Sequence, residues 1–180
     1  MSKKVLVLST SMRKGGNSDI LAKAFVKGAE SSGNTVEYIS IADKTIHFCK
    51  GCLICQKTQK CIIKDDAVQI ADKMKESDVV VFATPIYYYE MSGQMKTLLD
   101  RMNPLYPSDY SFRDVYMIAT AAEQENEAMD RAIQGLEGWI ECFPKASLKG
   151  VICGTGVVMI GDVSGHAEVL QEAFNMGAAI

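Results

Sequence analysis

Little in this chain points to the common side-chain chemistries. It has only two histidines, His47 and His166, far apart and with no acid or nucleophile patterned beside either, so surface or capping roles are expected of them. Its 19 basic residues do not outnumber the 22 acidic ones, the net charge is −3, and no basic stripe runs through it, so the electrostatic footprint of a nucleic-acid binder is missing. Apolar runs of membrane length are missing too. The N-terminal lysines precede only Val5 to Leu8, too short for a signal core or a span and suited instead to a first strand. No nucleic-acid or membrane partner is therefore expected. The expected compartment is a reducing cytoplasm, in which the six cysteines stand as thiols or metal ligands rather than disulfides. Neither the lysine-closed loop of nucleoside triphosphatases nor the G-x-G-x-x-G dinucleotide fingerprint occurs.

What is present is a regular alternation. Apolar residues recur with period two or in short buried runs at 5–9, 35–41, 79–83, 114–120 and 148–153, which predicts strands. Helical spacing falls between them, at 18–31, 65–76, 92–102, 125–143 and 167–176. Five strands, each followed by a helix, imply a parallel sheet with right-handed crossovers and helices on both faces. With 180 residues and 48% apolar content the chain is expected to be one domain, 1–180, interrupted only by a cysteine-rich insert at 47–63. Periodicity alone leaves two strand orders open, flavodoxin-like 2-1-3-4-5 and half-Rossmann.

Two strand-to-helix loops carry ligand chemistry. After the first strand, residues 10–18 read TSMRKGGNS, combining hydroxyls, an arginine, two glycines and a capping asparagine or serine at a helix start. Helix-start N–H groups and the dipole favour an anion, and glycines let the backbone come close, so a single terminal phosphate fits; an ordinary capped turn uses the same residues. Residues 78–101 read DVVVFATPIYYYEMSGQMKTLLDR, a buried strand expected to break at Thr84-Pro85, then three tyrosines and an amphipathic helix. That loop lies at the carboxyl edge of the sheet, where ligands bind, and its backbone and aromatic faces suit a planar heterocycle. Three consecutive tyrosines cannot all face one ligand, so some are expected in packing. The glycine stretch 154–161 lacks dinucleotide spacing and reads as a strand-end turn.

With both loops in hand, the chain resembles the flavodoxin-like NAD(P)H-dependent FMN reductases, a group that includes the iron-sulfur flavoproteins, over essentially its whole length. The resemblance implies an α/β three-layer sandwich with a five-stranded parallel sheet of order 2-1-3-4-5. It implies that the FMN phosphate is held by Ser11, Arg13, Gly16, Asn17 and Ser18. The isoalloxazine would be wrapped mainly by main-chain contacts at Pro85, Ile86, Tyr87 and Tyr88, with Thr120, Ala121 and Ala122 at its edge. The family usually has glycine at Thr10 and a glycine-rich loop at Thr120-Ala121-Ala122, where alanine methyls would crowd the ring. Homodimers or homotetramers with flavins near the interface, and tyrosines packed there, are also implied.

Cys49, Cys52, Cys55 and Cys61 form C-x2-C-x2-C-x5-C. Such spacing suits a [4Fe–4S] cluster, as in iron-sulfur flavoproteins, better than zinc, which pairs two C-x2-C arms across a longer spacer; a plain thiol loop is the alternative. Cys142 and Cys153 read as small buried hydrophobes, and Asp65-Asp66 as a helix cap. The expected function is FMN-dependent NAD(P)H oxidation with electrons passed to a small acceptor, and no catalytic side chain is required because the flavin carries the chemistry. The alternative is an iron-sulfur flavoprotein or flavodoxin-type carrier exchanging electrons with ferredoxin-like partners. A scaffold that has lost its flavin is a third reading.

Overall fold

A computed structural model describes residues 2–180. Its strands are β1 (Lys4–Ser9), β2 (Thr35–Ser40), β3 (Val79–Tyr87), β4 (Glu90–Met91), β5 (Asp114–Thr120) and β6 (Ser147–Gly154). Its helices are α1 (Asn17–Ser31), α2 (Ile54–Thr58), α3 (Asp66–Glu76), α4 (Gly93–Arg101), α5 (Asp130–Ile140) and α6 (Ala167–Ala178). Five strands run parallel in the order β2-β1-β3-β5-β6, and β4 pairs antiparallel with β3 alone. With that short hairpin strand set aside, this is the 2-1-3-4-5 order. The strand count is six where the sequence pattern predicts five.

Alternate residues of each strand feed two separate cores, as the period of two requires. Leu6, Leu8, Val80, Phe82, Val115 and Met117 pack under α3, α4 and α5, through Ile70, Met74, Met95, Leu98 and Leu136. Val5, Val7, Val79, Val81, Ile118 and Ile152 face the other way, onto Leu21, Phe25 and Ala173 of α1 and α6. The result is three layers, with each helix burying one apolar stripe. An aromatic group of Phe82, Phe112, Trp139 and Phe143 fills the first core between β3, β5 and α5.

Four boundaries depart from expectation. β3 does not stop at Pro85 but runs on to Tyr87, with Pro85 in register with Thr120. Ala83 points its carbonyl at Thr10 N, 2.8 Å away, so Pro85, two residues on, faces the same side after β1 has turned off; the missing N–H leaves no ladder bond unmade. β2 ends at Ser40, whose hydroxyl accepts from Ala42 N and starts a 3-10 turn. The helix expected over 125–143 is a 3-10 turn at Asn126–Met129 followed by α5, and Pro144 disfavours helical geometry at Phe143. The cysteine insert contains α2, flanked by Leu53 and Gln59 at positive φ.

Candidate functional site

β1 delivers the chain to a turn whose shape is set at Gly16. A Cβ there would lie 2.7 Å from Ser11 Oγ and 3.0 Å from Arg13 O, so any side chain would force the turn to shift. Ser11 Oγ in turn accepts from Arg13 N at 3.2 Å, closing the turn on itself. Gly16 is also the N-cap of α1 and offers no side chain to cap it, so the first-turn N–H groups stay open toward whatever occupies the turn. Ser18 Oγ is buried without a hydrogen-bond partner, although a buried hydroxyl ordinarily has one. Open helix N–H groups beside an orphaned hydroxyl are the arrangement an anion completes.

The neighbouring strands end level with this turn. Pro85 of β3 pairs with Thr120 of β5, and Thr120 with Gly154 of β6, so three carboxyl ends form one row. Three buried hydroxyls lock the first two loops together. Ser92 caps α4 by accepting from Met95 N, its own N–H donates to Thr84 Oγ1 at 3.1 Å, and Thr10 Oγ1 lies 3.3 Å from Ser92 Oγ. Thr10 therefore points into this network and away from the cradle.

A cavity of about 190 Å³ opens along the row. It is lined by Ser11, Arg13, Gly16, Asn17 and Ser18 from the first loop, Pro85, Ile86 and Tyr87 from the second, and Thr120 and Ala122 from the third. Its volume is below the roughly 300–1,000 Å³ that encloses a drug-sized ligand, so a long ligand would have part of itself outside. Two expected residues are not on its wall. Tyr88 is 98% exposed at the tip of the β3–β4 hairpin, and Ala121 is packed in the core with its N–H on Gly154 O. With Ala121 turned inward, only the Ala122 methyl faces the cavity.

A fourth wall escaped the sequence reading. Val157, Val158 and Ile160, from the segment expected to be only a strand-end turn, also line the cavity. Arg13 Nη1 donates to Val158 O at 3.1 Å, and the Asn17 side chain donates to Met159 O while accepting from Val163 N. Asp162 pins the segment by accepting from both Val158 N and Met159 N, bonds that hold its carboxyl below the usual range. Arg13 and Asn17 thus tie the first loop to the fourth. The available signal was the run Val157 to Ile160, apolar yet between glycines with no helical or strand partner pattern.

The cysteine insert is anchored by a residue that sequence spacing does not flag. Arg101, buried at the end of α4, makes paired bonds to Asp65, Nη1 to Oδ2 at 2.6 Å and Nη2 to Oδ1 at 2.8 Å. It also donates to His47 O, Ile63 O and Cys61 Sγ, so both ends of the insert are held by one guanidinium. Burial alone would raise the Asp65 carboxyl, but the bonds from Arg101 and His47 outweigh it and hold it at about 2. Asp65 also caps α3 by accepting from Ala67 N, the role its position predicts. Cys55 is buried against Asn103 Nδ2, while Cys49 and Cys52 face outward. Among the described residues no three His, Cys, Asp or Glu side chains come together as a metal ligand set, so the insert in this conformation does not fit a cluster. Cys153 is half-buried, and burial pushes its thiol up; Cys142, expected to be buried, is exposed and shares a surface cleft with Cys49.

Comparison with known proteins bears on the family and the fold. The profile of the family described as NADPH-dependent FMN reductase matches residues 3–165. An iron-sulfur flavoprotein of Methanocaldococcus jannaschii is 39% identical over 102 residues, covering 57% of this chain and 53% of that protein. The chain thus spans about half the length of that relative. An iron-sulfur flavoprotein of Methanosarcina thermophila is 25% identical across 89% of this chain and 78% of its own length. Among solved structures, an NAD(P)H:quinone oxidoreductase from Methanothermobacter marburgensis superposes with a TM-score of 0.75 over 99% of this chain and 96% of that one, at 16% identity. That likeness establishes the fold. Among the described residues no helix is long and apolar enough to cross a membrane.

Proposed function

This chain belongs to the NADPH-dependent FMN reductase family, and from that premise we propose that it binds FMN in the four-loop cavity and oxidises a reduced nicotinamide, passing the electrons to a small acceptor. The observation that carries the proposal is Ser18 Oγ, buried and unpartnered on the wall of a cavity whose turn closes tightly over Gly16. Both features suit a phosphate monoester. Ser11, Ser18 and the first-turn N–H groups of α1 would hold that phosphate, with Arg13 on the wall beside it. Pro85, Ile86 and Tyr87 would support the tricyclic ring, and Thr120 and Ala122 its edge. When bound, FMN supplies acceptance of two electrons from nicotinamide and their release to an acceptor. The side chains fix where the cofactor sits and which face remains open; among the cavity residues none is a histidine, cysteine or carboxylate, so positioning is the contribution of the protein.

The test is direct. Saturating FMN is expected to raise the melting temperature and to be quenched in its fluorescence, and the loaded protein to oxidise NADPH or NADH with menadione as acceptor. If FMN changes neither melting nor fluorescence, the assignment is lost.

One observation favours a second reading, that of an electron carrier of the iron-sulfur flavoprotein type: four cysteines at C-x2-C-x2-C-x5-C within one insert. It requires the insert to rearrange, since Cys55 is turned against Asn103. Anaerobic purification with iron and sulfide assay separates the readings. Four irons per chain, flavin reduction by ferredoxin and negligible nicotinamide turnover would favour the carrier, and less than one iron per chain would remove it.

A further inference from the structure

The turn that forms the anion cradle is held from behind by a carboxylate that does not reach the cavity. Asp19 stands in the first turn of α1, three residues after its N-cap, where an acidic side chain normally folds back to the N-cap N–H. Here that N–H is already taken, since Gly16 N donates to Arg13 O at 2.9 Å. Asp19 Oδ2 accepts instead from Gly15 N at 3.2 Å. Gly15 has φ +69, with open space where a Cβ would be, so the backbone conformation rather than crowding is what must be maintained there. The same carboxylate receives the Tyr38 hydroxyl from β2 on Oδ1 and Lys23 Nζ on Oδ2 at 2.8 Å, and Lys23 also lies 5.7 Å from the centre of the Tyr38 ring.

We propose that Asp19, restrained by Tyr38 and Lys23, is a positioning residue that presets the cradle for a phosphate monoester and so sets the preference of the pocket for FMN over unphosphorylated riboflavin. The inference rests on the FMN reading above. Three observations support it. First, a bare carboxylate in this turn would repel a phosphate, whereas this one is matched by Lys23 within ion-pair distance. Second, Asp19 is nearly fully buried, so its geometry is fixed before a ligand arrives, and a cradle already shaped loses less freedom on binding. Third, by satisfying Gly15 N it leaves the first-turn N–H groups of α1 and the orphaned Ser18 Oγ free for the ligand. Burial would raise the Asp19 carboxyl, but its bonds to Lys23, Tyr38 and Gly15 outweigh this and keep it ionised; burial and Asp19 push the Tyr38 phenol up, keeping it a donor.

The experiment is equilibrium titration of flavin-free protein with FMN and with riboflavin, using wild type, Asp19→Asn and Tyr38→Phe. Asp19→Asn removes the charge and Tyr38→Phe keeps the ring packing, so either variant alone is informative if the other fails to fold. Each is expected to weaken FMN binding by about three- to tenfold, less than the loss of a direct charge-assisted bond to the ligand because both residues act through the turn, while riboflavin affinity stays within about twofold of wild type. Equal losses for both flavins would mean a merely structural role and overturn the proposal, as would unchanged FMN affinity in folded variants. Wild-type protein that binds FMN no better than riboflavin would overturn the phosphate assignment itself, and that failure is read before any variant is made.

Discussion

Arg101 shows how one residue can govern a segment it does not belong to. Its guanidinium is buried, bonded twice to Asp65 and to carbonyls at either end of the insert, so removing it leaves a carboxylate whose side chain is only 2% exposed and whose remaining partners are the His47 ring nitrogen at 3.1 Å and the N–H groups of His47 and Ala67. Breaking a buried ion pair by removing one partner costs about 3–5 kcal/mol, and the bonds left to His47 and Ala67 place this case toward the lower end. Arg101→Met is therefore expected to lower the melting temperature more than any exposed charge reversal, with circular dichroism as the measure. The pH dependence follows the same bond. Asp65 is held at about 2 in the fold against roughly 3.9 for a free aspartate, so its contribution is fully present above about pH 4 and is lost as pH falls toward 2. Wild type should lose stability through that window, and Arg101→Met should lose distinctly less. Half of this pair was legible in sequence. Asp65 reads as a cap and is one, but Arg101 reads as an ordinary basic residue in the last turn of a helix, and nothing local announces a partner 36 positions away.

At the scale of elements, legibility followed how local the cause was. The five parallel strands and their helices were readable because period two and period 3.6 are written into consecutive residues, and the first two strand-to-helix loops, each an unbroken stretch, do line one cavity. What was missed depends on neighbours. Pro85 continues β3 only because β1 has already turned away, and the segment around Val158 becomes a wall only through Arg13 and Asn17. The crossing of α1 and α6 is of the second kind. A Cβ on Gly177 would lie 2.1 Å from Phe25 O, and one on Gly28 would lie 2.0 Å from Phe174 O, so the two helices meet backbone to backbone. Gly177→Ala must push them apart, and overpacking of this sort typically costs about 1–3 kcal/mol. Chemical denaturation is expected to show at least that loss. A stability equal to wild type would mean that the helices can separate without strain.

At the scale of the whole molecule, the apolar surface is unevenly distributed. Tyr87, Tyr88, Tyr89, Val158, Met159 and Ile160 are all exposed, and they belong to two of the loops that line the cavity. Tyr88 and Tyr89 also have positive φ, a conformation side chains rarely adopt, held by the β3–β4 hairpin with Ile86 opposite Met91 and Tyr87 opposite Glu90. Backbone strain that presents an aromatic ring to water has a reason if another surface covers that ring. The expectation is that a second copy of this chain does so, and that light scattering finds a mass of at least twice 19.7 kDa. Tyr88→Lys combined with Ile160→Lys should give monomers, because each places a charge that would have to be buried unpaired in the interface. Neither residue belongs to either hydrophobic core, so the double variant should keep its melting temperature at low protein concentration. If it does so and still sediments as an oligomer, the interface lies elsewhere. If wild type is monomeric at concentrations well above those of the binding assays, no second copy covers these tyrosines and the expectation is lost.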